Sequence, residues 1–270
     1  MTLLKTLQHA VDDAKQLIIE NLHIAKERTG GLNPYGDKTL LLDVKAEDAI
    51  ISVLNSSNTN FEILTEEKGF IKHECKPEYL ALIDPIDGST NLERGIPLVS
   101  IGISVVPYKK EMTSDDAEIS IIDSVFTEET YIAVTGRGVS RNGKQVKPSN
   151  PVGLENAIIS YDIKKTWDLQ FVERSLRTIS AVQDIRRSAS NLLDLCWTAA
   201  GFLDAMVDLR NMLPIIHLCG THMVFEAGGY VIDQYGNRFC SPLEIDRMMN
   251  FVAACDKGLA NQILARFNSI

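Results

Sequence analysis

The chain has 270 residues, 45% apolar and 23% charged, with a net charge of −9 at pH 7. These are the proportions of a soluble globular protein large enough to bury a full core. The acidic balance, without a Lys/Arg block or an aromatic–basic stripe, argues against nucleic acid as a partner, and no apolar run approaches the ~20 residues of a membrane helix.

Five cysteines (Cys75, Cys196, Cys219, Cys240, Cys255) are scattered, with no Cys-x-x-Cys pair. That pattern excludes structural zinc and a disulfide framework and points to a reducing compartment. The N-terminus lacks a basic region followed by an apolar stretch, so no secretory signal is expected.

Residues 2–28 read as one amphipathic helix. Leu4, Leu7, Val11, Ala14, Ile18, Leu22 and Ala25 mark its apolar face, and Thr29-Gly30-Gly31 is the expected stop. A polar turn over 33–39 leads to a second helical pattern through Ala46, Ala49, Ile50, Val53 and Leu54, with Asp43 placed as its N-cap. Residues 61–65 form a short strand ending at Glu66-Glu67.

The next strand, Tyr79-Leu80-Ala81-Leu82-Ile83, runs into Asp84-Pro85-Ile86-Asp87-Gly88-Ser89-Thr90-Asn91. Pro85 cannot donate to a sheet ladder, so the strand is expected to stop there and let Asp84 and Asp87 converge. Gly88 permits close backbone approach, and the amides after it point out of a helix start, a seat for an anion. Two hard oxygen ligands beside such a seat suit Mg²⁺-assisted phosphoryl chemistry.

Segments 98–107, 118–124 and 130–134, with a hairpin over 136–144, predict a largely antiparallel sheet. Pro148-Ser149-Asn150-Pro151 is the expected boundary between an N-terminal half, 1–150, and a C-terminal half, 151–270. Beyond it the pattern gives a strand over 157–161, a helix over 169–180 and a basic spot at Arg186-Arg187. A helix over 191–201 and a strand over 202–210 follow.

Asp-Pro-Ile-Asp-Gly-Ser-Thr-Asn, following an apolar strand and the Glu66-Glu67 pair, closely resembles the signature of the inositol monophosphatase family. That family comprises lithium-sensitive-type, Mg²⁺-dependent phosphomonoesterases and includes archaeal and bacterial fructose-1,6-bisphosphatases. The resemblance spans 36–229 and implies an α+β fold, the layered α/β sandwich of the sugar phosphatases. It also implies a homodimer, and a small polyol or sugar phosphate as substrate in the cytoplasm.

By resemblance, Glu66, Asp84, Asp87 and the Ile86 carbonyl hold Mg²⁺, with Glu67 near the water-activating ion. Asp43 and Ser89 orient the attacking water, and Asp37 lies on a mobile loop that closes over the metals. The amides of Gly88 and Ser89 take the phosphate. Asp208 matches a carboxylate that reads substrate hydroxyls; its other reading is a surface ion pair with Arg210.

One position departs from the family pattern. Members carry an aspartate ligand four residues before a glycine, and anchoring on Gly220 and on Phe225-Glu226-Ala227-Gly228-Gly229 puts Ile216 there. No carboxylate lies in 211–223. His217 is adjacent, but one residue along a helix turns it about 100° away, and imidazole suits Mg²⁺ poorly. His217 and His222 are therefore expected to be core or helix-surface histidines. Either a weaker second metal site persists, or the chain is an impaired homologue that binds a phosphate ligand or a partner.

Overall fold

The computed structural model describes residues 2–163 and 168–269. The chain opens with α1 (Leu3–Glu20), the hairpin β1 (Arg28–Leu32) and β2 (Lys38–Leu40), and α2 (Leu41–Asn55). Strands β3 (Phe61–Thr65), β4 (Gly69–Ile71) and β5 (Tyr79–Asp87) follow, then the short helix α3 (Ser89–Arg94). A meander comes next: β6 (Ser100–Pro107), β7 (Ile119–Ser124), β8 (Glu129–Val134), β9 (Gly138–Arg141) and β10 (Lys144–Val146).

The second half begins with β11 (Ile158–Tyr161), α4 (Leu169–Ile179), β12 (Asp184–Ile185) and α5 (Asn191–Ala199). It ends with β13 (Ala205–Pro214), α6 (Leu218–Ala227), β14 (Tyr230–Asp233), β15 (Met248–Ala254) and α7 (Lys257–Asn268).

These elements stack in five layers. An eight-stranded sheet, β10-β9-β8-β7-β6-β5-β3-β4, is antiparallel except where β3 pairs with β5. A five-stranded mixed sheet runs β12-β11-β13-β15-β14. Alternation along β5 explains the layering: Ala81 and Ile83 face one way, Leu80 and Leu82 the other. The first pair packs with Leu7, Val11 and Ile18 of α1 and Ile50 of α2. The second pair packs with Leu192 and Leu195 of α5 and Met223 and Val224 of α6. Those two helices cover Met206 and Phe251 of the second sheet with their far side. On that sheet's outer face, Ile159, Val207 and Val252 meet Leu259 and Ile263 of α7. Helices α5 and α6 are thus the shared middle layer, so a ligand reaching their N-termini meets both halves of the chain.

The first helix is shorter than its periodicity suggests. Asn21 closes it, donating from its backbone and from Nδ2 to Leu17, and a 3-10 turn (Leu22–Ile24) follows. Thr29, Gly30 and Gly31 do not terminate a helix; they lie within β1, which pairs with β2 to form the hairpin over α2. Asp43 is not the N-cap either. It sits in the first turn of α2, where its Oδ2 accepts the Leu40 N–H at 3.4 Å.

His222 is a core histidine, 6% exposed, with Nδ1 2.8 Å from Ser120 Oγ and Nε2 3.0 Å from Thr135 Oγ1. Burial pulls its pKa down to about 4, although Glu226 Oε1 stands 4.0 Å away. Between pH 4 and 6.5 the unfolded chain therefore binds more protons at this residue than the folded one. Its contribution to stability is present above pH 6.5 and is lost as pH falls toward 4. Urea denaturation of the wild type against His222→Gln should show this histidine's share shrinking by about 2 kcal/mol between pH 7 and 4.5. A share that does not change with pH would contradict its being held neutral.

Candidate active site

The strand β5 does not end at Pro85. It pairs with β6 as far as Asp87, and the register slips on the way: Asp84 faces Gly102 while Asp87 faces Ser100. Pro85 and Ile86 together stand opposite Ile101 alone, two residues against one, which is a bulge, and Pro85 has no N–H to lose there. The slip overturns the strict alternation that would send Asp84 and Asp87 to opposite faces. Glycine at position 102 makes room beside it, since a Cβ there would lie 2.4 Å from Leu192 Cδ1 and 2.8 Å from Cys219 Sγ. The starts of α5 and α6 therefore pack directly against the bulge.

Each aspartate divides its oxygens between scaffold and cleft. Asp87 Oδ2 accepts the Leu192 N–H and the Ser190 hydroxyl, both at 2.6 Å, at the start of α5. Asp84 Oδ1 accepts the Ile86 N–H at 3.1 Å. The remaining atom, Asp84 Oδ2, is buried without a hydrogen-bond partner, 3.1 Å from His217 Nε2. The same Nε2 is 3.9 Å from Asp87 Oδ1.

His217 is the largest difference from the expectation. Residues Ile215–His217 form a 3-10 turn ahead of α6, not part of that α-helix. With three residues per turn, neighbours diverge by about 120°. Ile216 points into the core, fully buried, and His217 points into the cleft. The chain presents imidazole one position after the expected ligand.

Glu66 and Glu67 enter from the end of β3. Glu47, wholly buried on α2, holds this strand end by accepting from Thr65 Oγ1 at 2.5 Å and from the Glu67 N–H at 3.0 Å. Glu67 Oε2 accepts from Thr39 Oγ1 of the hairpin at 2.6 Å, and Asn33 Nδ2 reaches Glu66 Oε1 at 3.4 Å. Asp37 lies on the cleft rim, on the turn of that hairpin.

Asp43 comes in from α2 and Ser89 from the start of α3. Ser89 Oγ is 3.4 Å from both Asp43 oxygens and 3.0 Å from the Ile86 carbonyl, so one hydroxyl proton is shared among three acceptors. Gly88 holds the turn with φ at +99°, and a Cβ on it would sit 2.8 Å from Leu98 O. The close approach that demands glycine here is to the protein's own backbone.

Burial, then the neighbouring carboxylate charges, drives Asp43, Glu66 and Asp84 well above the usual carboxylate range. For Asp43 the neighbour is Glu67, and for Glu66 it is Asp84. Crowded carboxylates with a buried oxygen lacking a hydrogen bond are a poor arrangement without a cation and a good one with it. Asp84, Asp87 and His217 each offer one ligand atom, all within 4.8 Å of one another. The residues therefore fit a divalent ion.

The opposite wall of this cleft, about 1010 Å³ in volume, comes from the second half of the chain. Arg187 and Arg210 converge on Asp162 Oδ2 at 2.9 and 2.8 Å. Asp208 stands behind this wall rather than on it. It is fully buried on β13 and clamps Arg210, with Oδ1 2.9 Å from Nε and Oδ2 2.5 Å from Nη2. It is neither a surface ion pair nor exposed to substrate hydroxyls; Asp162 is the cleft carboxylate there. The sequence marked Arg187 only as part of a basic spot, and nothing local singled out Asp162, which becomes visible only when β11 and β13 pair.

The inositol monophosphatase family model matches residues 2–269. A fructose-1,6-bisphosphatase/inositol-1-monophosphatase from Methanocaldococcus jannaschii is 29% identical over 237 residues, covering 87% of this chain and 86% of that one. A protein named Nus factor SuhB from Pasteurella multocida is 29% identical over 209 residues, covering 76% and 75%. The crystal structure of an inositol monophosphatase–fructose 1,6-bisphosphatase superposes with a TM-score of 0.82 at 26% identity, covering 98% of this chain and all of the other. The suhB protein from Bartonella henselae shares the fold at a TM-score of 0.84 and 24% identity, covering 98% of each chain.

Replacing Asp208 with Asn leaves the Arg210 guanidinium buried with half its charge compensation gone. Urea denaturation should show a loss of about 3 kcal/mol. A stable variant that only raises KM for a polyol phosphate would instead return Asp208 to substrate binding.

Proposed function

The chain belongs to the inositol monophosphatase family of phosphomonoesterases, and we propose that it hydrolyses a small polyol or sugar phosphate with the aid of divalent cations. The observation that carries this reading is Asp84 Oδ2, buried without a hydrogen bond and facing Glu66, Asp87 and His217 at the base of an open cleft. The paired activities in the name of the Methanocaldococcus relative motivate inositol 1-phosphate and fructose 1,6-bisphosphate as the substrate class.

Glu66, Asp84 and the Ile86 carbonyl form an all-oxygen group suited to Mg²⁺, and Asp87 Oδ1 extends it toward His217. A bound divalent ion supplies charge stabilisation and an acidified water. The rest falls to the chain's own groups. Asp43 and Ser89, joined through Ser89 Oγ, orient the water for in-line attack, and Glu67 assists from the hairpin side. The Gly88 and Ser89 amides at the start of α3 face the phosphate. Asp162 accepts from polyol hydroxyls, held in place by Arg187 and Arg210.

The hairpin bearing Asp37 lies over the carboxylates and is tied to them through Thr39 and Asn33, which supports its role as the closing loop. Five free cysteines support a reducing compartment. Residue 150 falls between the last strand of the large sheet and the first of the smaller one, which supports division into a metal-binding and a substrate-contact half. A homodimer remains part of the reading on family grounds.

Phosphate release from both substrates over a cation titration tests it. The wild type should turn over, and Asp84→Asn should lower kcat by about a thousand-fold or more. Ile216→Asp should add no activity and should destabilise the fold, because its carboxylate would enter the core. Turnover indifferent to Asp84→Asn would refute the assignment, and silence with both substrates at every cation concentration would favour a binding protein.

A further inference from the structure

We propose that Asp84, Asp87 and His217 form a mixed carboxylate–imidazole site that selects a first-row transition-metal ion over Mg²⁺, with paramagnetic Mn²⁺ as its probe. The inference deepens the metal-dependent reading above and rests on it.

The first ground is the orientation of the imidazole. His217 Nδ1 lies 3.2 Å from the Pro214 carbonyl oxygen, which can only accept. Nδ1 therefore carries a hydrogen, and in the neutral ring Nε2 keeps its lone pair free, with Asp84 Oδ2 and Asp87 Oδ1 at 3.1 and 3.9 Å from it. A ring nitrogen fixed through a backbone carbonyl on its other side is the usual arrangement of a metal-binding histidine. The proline that positions it is the last residue of β13 and the N-cap of the turn that carries His217.

The second ground is spacing. Two ligand atoms at about 2.1 Å from one ion stand about 3 Å apart at a right angle and at most about 4.2 Å apart. The separations of 3.1 and 3.9 Å from Nε2 lie within that range. Both carboxylates have committed their other oxygen to the scaffold, Asp84 to the Ile86 N–H and Asp87 to Ser190 and Leu192. One oxygen from each faces the imidazole.

The third ground is chemistry. Ile216 is packed in the core and the sequence from 211 to 223 has no carboxylate, so the α6 side of the site offers a neutral nitrogen where an anionic oxygen would otherwise stand. Mg²⁺ favours oxygen ligands, and losing one anionic donor weakens its hold. Mn²⁺ stands at the weak end of the first-row series and shares the oxygen preference of Mg²⁺, so a nitrogen in its coordination shell reports the histidine itself, and the later ions of the series bind such a mixed site more tightly. His222 cannot take this part, since both its nitrogens are engaged by Ser120 and Thr135.

Pulsed electron paramagnetic resonance of Mn²⁺ bound to the full chain reads the proposed bond directly. The wild type should show ¹⁴N modulation that changes to the ¹⁵N pattern when histidine alone is ¹⁵N-labelled, and that disappears in His217→Gln. Displacement of Mn²⁺ should need at least a tenfold excess of Mg²⁺ in the wild type, and a ratio nearer one in His217→Asp. Mn²⁺ bound with no ¹⁴N modulation would overturn the proposal, leaving His217 as an ion-pair partner of Asp84 while the phosphatase reading stands. Absence of binding by either ion would overturn both. The labelled wild-type protein decides the question even where a variant fails to fold.

Discussion

The site depends on one extra residue in the β5–β6 ladder. Without the slip between Asp84 and Asp87, their side chains would leave opposite faces of the large sheet, one toward α1 and α2 and the other toward α5 and α6. With it, both face the N-termini of the middle-layer helices, where Ser190 and the Leu192 amide secure Asp87 and the turn before α6 delivers His217. Pro85 makes the bulge inexpensive, since it has no amide hydrogen to strand, and Gly102 lets two helix starts approach the irregular stretch.

Around that bulge the fold concentrates charge that it does not neutralise internally. Asp43, Glu66 and Asp84 are all pushed toward their protonated forms by burial and then by neighbouring carboxylates, Glu67, Asp84 and Asp87 respectively. On the other wall the charges are balanced: Asp208 grips Arg210, and Asp162 bridges Arg210 and Arg187. The contrast divides the cleft chemically into a wall whose unresolved negative charge calls for cations and a wall whose paired groups are held rigid for recognition.

Much of this was legible in the sequence, for physical reasons that can be named. Asp84 and Asp87 are three residues apart at the end of β5 and the Glu66-Glu67 pair follows β3, so the parallel pairing of these two strands brings all four carboxylates to the same end of the sheet. Elements with strong periodicity, such as α1 and the β6–β7 pair, were visible in the spacing of their apolar residues. Their ends were not: Leu22 and Ala25 continue the helical spacing, yet Asn21 caps the helix and the following segment is recruited into β1. His217 was hidden because residues 215–217 form a separate 3-10 turn ahead of α6, and the spacing to Gly220 does not say which residue of that turn faces the cleft. Asp162 and Asp208 were hidden by tertiary structure, since only the pairing of β11 with β13 decides which carboxylate reaches the cleft.

The central claim is that the bulge creates a cation site from Asp84, Asp87 and His217, next to Glu66. Anomalous diffraction from crystals soaked in Mn²⁺ tests it most directly. The account predicts a peak within bonding distance of Asp84 Oδ2, Asp87 Oδ1 and His217 Nε2. A map with Mn²⁺ bound elsewhere, and His217 Nε2 instead donating to Asp84, would contradict it.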